Sequence, residues 1–144
     1  MKRYLALLFL SFLVLAGCAS NPTLPVQVKN AWARPALSGQ TSAVYFLIIN
    51  PKVLSEQLLG VSTSVAAYTE MHKSEHSADG VMSMQPQSSI EIPAKGQVAF
   101  EPGGLHVMLT DLKQDLKTGD TLELLLRFKN SGEITVQVPI QDSP

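Results

Sequence analysis

From Val26 to Ile140 the chain alternates apolar and polar positions in short runs, broken by Gly, Pro, Asn and Asp. A period of two puts every second side chain on one face of an extended backbone, so these runs predict β-strands rather than helices. The predicted strands are Val26 to Ala33, Ser42 to Asn50, Leu58 to Ser62, Ala67 to His72, Gly80 to Gln85, Ser89 to Ile92, Gln97 to Glu101, Leu105 to Leu109, Thr121 to Lys129 and Ile134 to Ile140. Ala78-Asp79-Gly80 and Asn130-Ser131-Gly132 carry hairpin-turn chemistry. One short helical stretch is expected around Leu112 to Lys117. Short strands with frequent turns make the fold class all-β, an antiparallel sandwich or barrel.

The first residues follow a different pattern. Lys2 and Arg3 precede a run from Tyr4 to Ala16 that is apolar apart from Ser11, and Leu15-Ala16-Gly17-Cys18 follows. That run is too short for an ordinary transmembrane helix and has the layout of a secretory signal. Its small residues end at Cys18, the only cysteine of the chain, and resemble a bacterial lipobox, in which cleavage leaves the cysteine to carry lipid. The expected organisation is a signal peptide over 1–17, a lipidated cysteine and linker over 18–25, and a single β domain over 26–144. The proline-containing linker Ala19 to Pro25 spans about 25 Å at most when extended, which keeps the domain close to the membrane. Each buried lipid methylene contributes about 0.8 kcal/mol, so several acyl chains anchor firmly. The expected location is membrane-anchored on the periplasmic or extracellular face.

Charge and composition then narrow the function. Of 144 residues, 45% are apolar and 16% charged, enough for a core. Without Lys2 and Arg3, nine Lys and Arg face twelve Asp and Glu, a net charge of −3, and there is no basic field for nucleic acid. With Cys18 acylated the domain has no thiol, which excludes a disulfide and a thiolate metal site within it.

The chemistry concentrates in two stretches, "EMHKSEHSADGVMSMQ" from Glu70 to Gln85 and "GGLHVMLTDL" from Gly103 to Leu112. Every methionine after the initiator (Met71, Met82, Met84, Met108) and every histidine (His72, His76, His106) lies between positions 71 and 108, about a quarter of the chain. Packing methionines and surface histidines have no reason to cluster in this way. Thioethers together with imidazoles suit copper, Cu(I) above all, whereas zinc and hard ions favour other donors. His106 and Met108 share a face of one strand, as Met82 and Met84 do of another. His72 stands on the strand that the Asp79-Gly80 turn folds back toward them. Met71 points to the opposite face unless the strand is bulged. Met82 and Met71 divide between packing and ligation, and His76 between a solvated turn and a ligand. Glu70, Glu75 and Asp79 are either exposed charges or supports for a histidine, and Trp32 is either core or a lid.

Met84 and His106 have twenty-one residues between them, and Met108 completes His-x-Met. In this the chain resembles the PCu(A)C family of periplasmic copper chaperones, whose motif is a histidine, about ten residues, a methionine, twenty-one residues and His-x-Met. "AWARPALSGQTSAVYFLIIN", "DGVMSM", "EPGGLHVML", "LKTGDTLELLLRF" and "ITVQVPI" are similar to family signatures, and the likeness runs from about residue 26 to 140. One departure is that His72 and Met84 are separated by eleven residues, which leaves His72 or His76 as the first ligand.

The resemblance implies a cupredoxin-like Greek-key β-barrel that binds Cu(I), with Cu(II) as a further candidate. The ligands it implies are His72, Met84, His106 and Met108, with His76, Met82 and Met71 as additional candidates. It also implies delivery toward the dinuclear CuA centre of cytochrome c oxidase. The implied partners are a copper acceptor such as a Sco-type thiol protein or oxidase subunit II, and the membrane through the lipid. A blue-copper electron carrier needs a cysteine ligand, and none is free here. No nucleophile dyad, paired carboxylate or phosphate loop points to an enzyme. The competing readings are a structural or adhesive lipoprotein without metal, and an oxidase or accessory subunit that cycles copper.

Overall fold

In the computed structural model, which describes residues 24–76 and 82–143, ten strands make two sheets. The strands are β1 (Gln27–Ala33), β2 (Ser42–Ile49), β3 (Glu56–Ser62), β4 (Ala66–His76), β5 (Met82–Pro86), β6 (Ile90–Ile92), β7 (Gln97–Phe100), β8 (Leu105–Leu112), β9 (Thr121–Phe128) and β10 (Gly132–Pro139). The larger sheet has the order β1-β2-β7-β8-β4-β5, with β2 also meeting β8, and the smaller has β10-β9-β3-β6. Nearly all pairings are antiparallel. The signal segment, Cys18 and the Asp79-Gly80 turn lie outside the described residues.

The core lies between the sheets, where the period of two predicts it. In β9, Leu122, Leu124, Leu126 and Phe128 are buried and alternate with Thr121, Glu123 and Arg127. Val44, Phe46 and Ile48 of β2, Val107 and Leu109 of β8 and Met71 of β4 face them from the larger sheet. Burying each such aliphatic or aromatic side chain contributes about 1.5–3 kcal/mol. The larger sheet's other face carries Ala43, Tyr45, His72, His106 and Met108, one residue out of phase with that core set.

All ten sequence-predicted strands are present. The largest differences are at β4 and β8, which run four and three residues beyond the predicted ends because their ladders continue past them. The short helix expected around Leu112 to Lys117 is absent. Leu112 ends β8, and Leu116 is buried in a bridge with Ala36, with amide–carbonyl distances of 3.1 and 2.8 Å. Those bonds satisfy the backbone groups that a helix would have paired internally.

Candidate metal centre

Strand pairing decides which side chains meet. In the β4–β8 ladder His72 stands directly opposite His106, and Glu70 directly opposite Met108. In the β4–β5 ladder Ser74 opposes Met84, and His76 opposes Met82. Residues directly opposite share a face, as do residues two apart on one strand. The outer face of the larger sheet therefore carries His106 and Met108 on β8, His72 on β4, and Met82 and Met84 on β5. His72 and Met84 are diagonal neighbours, with Cα atoms roughly 7–8 Å apart in such a ladder. With eleven residues between them in sequence, Met84 still falls on the His72 side of the ladder.

Both histidines are buried, His72 at 8% exposure and His106 at 6%, with ring centroids 5.9 Å apart and planes inclined at 64°. Their hydrogen bonding differs. His106 Nδ1 lies 3.1 Å from the carbonyl oxygen of Gly104. A carbonyl only accepts, so Nδ1 carries the proton and Nε2 keeps its lone pair for a metal or a donor. The same oxygen accepts the Ser74 amide at 3.1 Å, so one carbonyl ties β4 to the imidazole of β8. The Gly104 carbonyl is placed by a tight turn: Gly104 N donates to Glu101 O at 3.0 Å, Pro102 is second and Gly103 third with φ 81°. Proline then glycine at positive φ is the type II arrangement.

His72 has no such support. Both of its ring nitrogens are buried without a hydrogen-bond partner. Glu70 Oε2 approaches Nε2 to 3.4 Å but makes no hydrogen bond with it. A buried unsatisfied polar group costs about 1–3 kcal/mol, and a metal bound to that ring would relieve it.

A cavity of about 330 Å³ opens beside these groups. Met84, His106 and Met108 line it, with Met82, Ser74 and Gly103 around them. His72 is set behind this lining, against the His106 ring. Met84 and Met82 are half exposed, at 51% and 53%, and bring polarizable sulfur to the rim. Among the described residues, no three His, Cys, Asp or Glu side chains gather as metal ligands, so a cation held here draws on the thioethers. Two imidazoles with thioethers form a neutral, soft donor set suited to a monovalent copper ion.

Met71 does not join this group. Its strand is regular where a bulge would be needed, Met71 opposes Val107, and its side chain is buried in the core. Met82 shares the face of Met84 and reaches the same cavity. His76 continues the His72 face in register, and its side chain lies outside the described part of the protein. Of the carboxylates considered as supports, Glu70 is near His72, Glu75 pairs with Lys73 at 3.3 Å, and Asp79 is outside the described residues. Trp32 is buried behind the cavity wall, its ring 4.7 Å from that of Tyr45, which lines the cavity. Sequence reasoning did not find the Gly104 carbonyl. The Pro-Gly-Gly run before His106 is the signal that marks its turn.

Known proteins share this architecture. The copper-bound PCuAC domain from PmoF2 superposes with a TM-score of 0.68 at 24% identity, over 85% of this chain and 96% of that one. The solution structure of CuI-DR1885 from Deinococcus radiodurans gives 0.62 at 26% identity, over 88% and 85%. The fold is thus the cupredoxin-like fold of PCuAC domains. Among sequences, "Putative lipoprotein Lxx21020" of Leifsonia xyli subsp. xyli is 31% identical over 81% of this chain and 70% of its own length. "Uncharacterized protein RP573" of Rickettsia prowazekii is 30% identical over 90% and 76%. The family described as "Putative lipoprotein LpqE-like" matches residues 26–140, and the chain belongs to that LpqE-like family.

Proposed function

We propose that this protein is an extracytoplasmic copper chaperone, anchored by lipid on Cys18, that holds Cu(I) through His72, Met84, His106 and Met108. One observation carries the reading: two buried imidazoles face each other across a ladder, one with both nitrogens unpartnered and the other with its Nδ1 proton committed to Gly104, beside two thioethers. Support comes also from CuI-DR1885, a Cu(I) form of a protein with the same architecture.

The donor chemistry favours carriage over turnover. Thioethers bind without deprotonation, and neutral ligands release copper readily to a thiolate. The delivery target in this proposal is the CuA centre of cytochrome c oxidase, reached through a Sco-type thiol protein or oxidase subunit II. In this reading Cu(II) is at most a secondary cargo.

The test is a Cu(I) titration of the domain against a competing chelator, with X-ray absorption counting sulfur and nitrogen neighbours. The expected result is one tightly bound Cu(I) with mixed S/N coordination. Replacing His106 and Met108 together by alanine is expected to remove most of the affinity and leave the β-sheet circular dichroism intact. Full affinity in that double variant overturns the site. No binding by the wild type favours a metal-free structural lipoprotein instead.

A further inference from the structure

Among the described residues, Arg34 is the one charged side chain other than histidine that lines the cavity beside the histidines and methionines. Its guanidinium carbon lies 5.7 Å from the centroid of the Tyr45 ring, and Tyr45 is braced from behind by Trp32. The position is fixed by the backbone: Arg34 N donates to Ala43 O at 3.1 Å, and its carbonyl accepts the Ser42 hydroxyl at 2.6 Å. Ala43 is in turn directly opposite Met108. Among the described residues no carboxylate stands within ion-pair distance of Arg34. On this face Glu70 lies beside His72, directly opposite Met108, and is not among the residues lining the cavity.

The chain is acidic overall, and all four candidate ligands are neutral. Monovalent copper among neutral donors retains its positive charge, with the Glu70 carboxylate 3.4 Å from His72 Nε2 on one side. Arg34 adds a second positive charge on the other, where among the described residues no carboxylate lines the cavity. Arg34 is exposed to solvent at the cavity's edge, so its charge favours an anion there by an amount that salt screens. The open side of the cavity, where Met82 and Met84 are half exposed, lets one in.

We propose that Arg34 makes this cavity an anion subsite for the thiolate of copper's exchange partner. The inference rests on the copper-chaperone reading and adds to it a recognition element for the partner's chemistry. The guanidinium steers the anionic sulfur inward and favours its deprotonated form. Exchange then forms Cu–S(thiolate) bonds as Cu–S(thioether) and Cu–N bonds break. Copper stays monovalent, no electrons move, and any thiol proton leaves to solvent.

The experiment compares wild type, Arg34→Gln and Arg34→Lys in two arms. In the copper arm, Cu(I)-loaded protein is mixed by stopped flow with glutathione, with a synthetic dicysteine peptide, or with a neutral imidazole–thioether peptide. Arg34→Gln is expected to slow transfer to both thiols by roughly three- to tenfold at low salt. Transfer to the neutral peptide and equilibrium Cu(I) affinity are expected to stay unchanged, and Arg34→Lys to retain most of the rate. The wild-type advantage is expected to shrink as ionic strength rises. A greater loss with the dicysteine peptide than with glutathione assigns the subsite to a protein-borne thiolate, and the reverse assigns it to a small thiol. In the copper-free arm, thiocyanate is titrated while amide shifts of Ala43 and Gly103 are followed by NMR. Saturable shifts in wild type that vanish in Arg34→Gln support the anion subsite. Equal shifts in both proteins, or equal thiol-transfer rates, overturn it. Failure of the wild type to bind Cu(I) instead overturns the functional reading, while the thiocyanate arm still decides the subsite.

Discussion

His72 and His106 face each other directly across β4 and β8, 5.9 Å apart between ring centroids, and only His106 has a hydrogen-bond partner. One strand pair thus holds a preorganised imidazole against one that is buried at a cost. Such a cost persists where the rest of the fold over-determines it, and it marks the position as one kept for binding.

Replacing His72 with a side chain of similar volume and no polar atoms removes that cost. His72→Leu is expected to raise the stability of the copper-free protein by about 1–2 kcal/mol. The same variant is expected to lose most of the copper-induced stabilisation, which for the wild type is about 2.7 kcal/mol at a hundredfold excess over the dissociation constant. Paired denaturation curves with and without Cu(I) check both halves. A destabilised copper-free variant would mean that the ring is satisfied in solution.

The two methionines of β5 are equally exposed and differ in their neighbours. Met84 opposes Ser74, one diagonal step from His72, and Met82 opposes His76 two residues further along the strand. Met84→Leu is expected to weaken Cu(I) binding by at least about tenfold, equivalent to about 1.4 kcal/mol. Met82→Leu is expected to change it far less. Chelator competition on the two variants checks the order, and a larger loss at Met82 would shift the site toward the hairpin loop.

Much of this was legible in the sequence because parity is legible. His106 and Met108 are two apart, as are Met82 and Met84, and in an extended strand that alone sets a shared face. The buried residues of β9 follow from the same alternation in "TLELLLRF". What escaped reading depends on long-range backbone groups. Nothing in the residues after Leu112 shows that Leu116 bonds to Ala36, across a separation that makes a short helix unnecessary. Nor does a list of charged residues reveal that Glu56 is buried at 1% exposure, since that depends on a loop more than seventy positions away. The missing partners of His72 are likewise a property of packing, invisible to spacing.

Gly103 connects the turn to the candidate metal centre. Its φ of 81° favours glycine, and a Cβ there would meet no other atom within 4 Å, so Gly103→Ala acts through backbone strain alone. Gly132, with φ 75° in the β9–β10 hairpin and equally open space, is a matched control away from the site. Each alanine variant is expected to cost about 1–2 kcal/mol of stability. Only Gly103→Ala is expected also to weaken Cu(I) binding, by about tenfold, because it moves the carbonyl that orients His106. Equal copper affinities in the two variants would remove the Gly104 carbonyl from any role beyond folding.

Glu56 makes a prediction that is independent of copper. Its carboxylate, at the start of β3, accepts the amides of Gln57 at 3.0 Å and Asn130 at 2.9 Å, the Asn130 side chain at 3.0 Å and the Ser131 hydroxyl at 2.6 Å. Lys52 Nζ stands 3.8 Å away. The carboxylate thereby holds the β9–β10 turn against the loop that precedes β3. Burial pushes the acid upward, but the hydrogen bonds from Ser131, Gln57 and Asn130 outweigh it and hold the group below the usual carboxylate range. A carboxyl group whose pKa is lower folded than unfolded stabilises the protein above the unfolded value, and that stability fades as pH falls through the folded one. Glu56→Gln is therefore expected to cost about 2–3 kcal/mol at neutral pH, lowering the melting midpoint by roughly 10 °C. The gap from wild type is expected to narrow steadily below the ordinary carboxylate range, as wild-type Glu56 takes up its proton. Thermal midpoints of both proteins across acid pH measure this directly, and a gap that stays constant down to full protonation would show that the ionised form of Glu56 contributes nothing to the turn it holds.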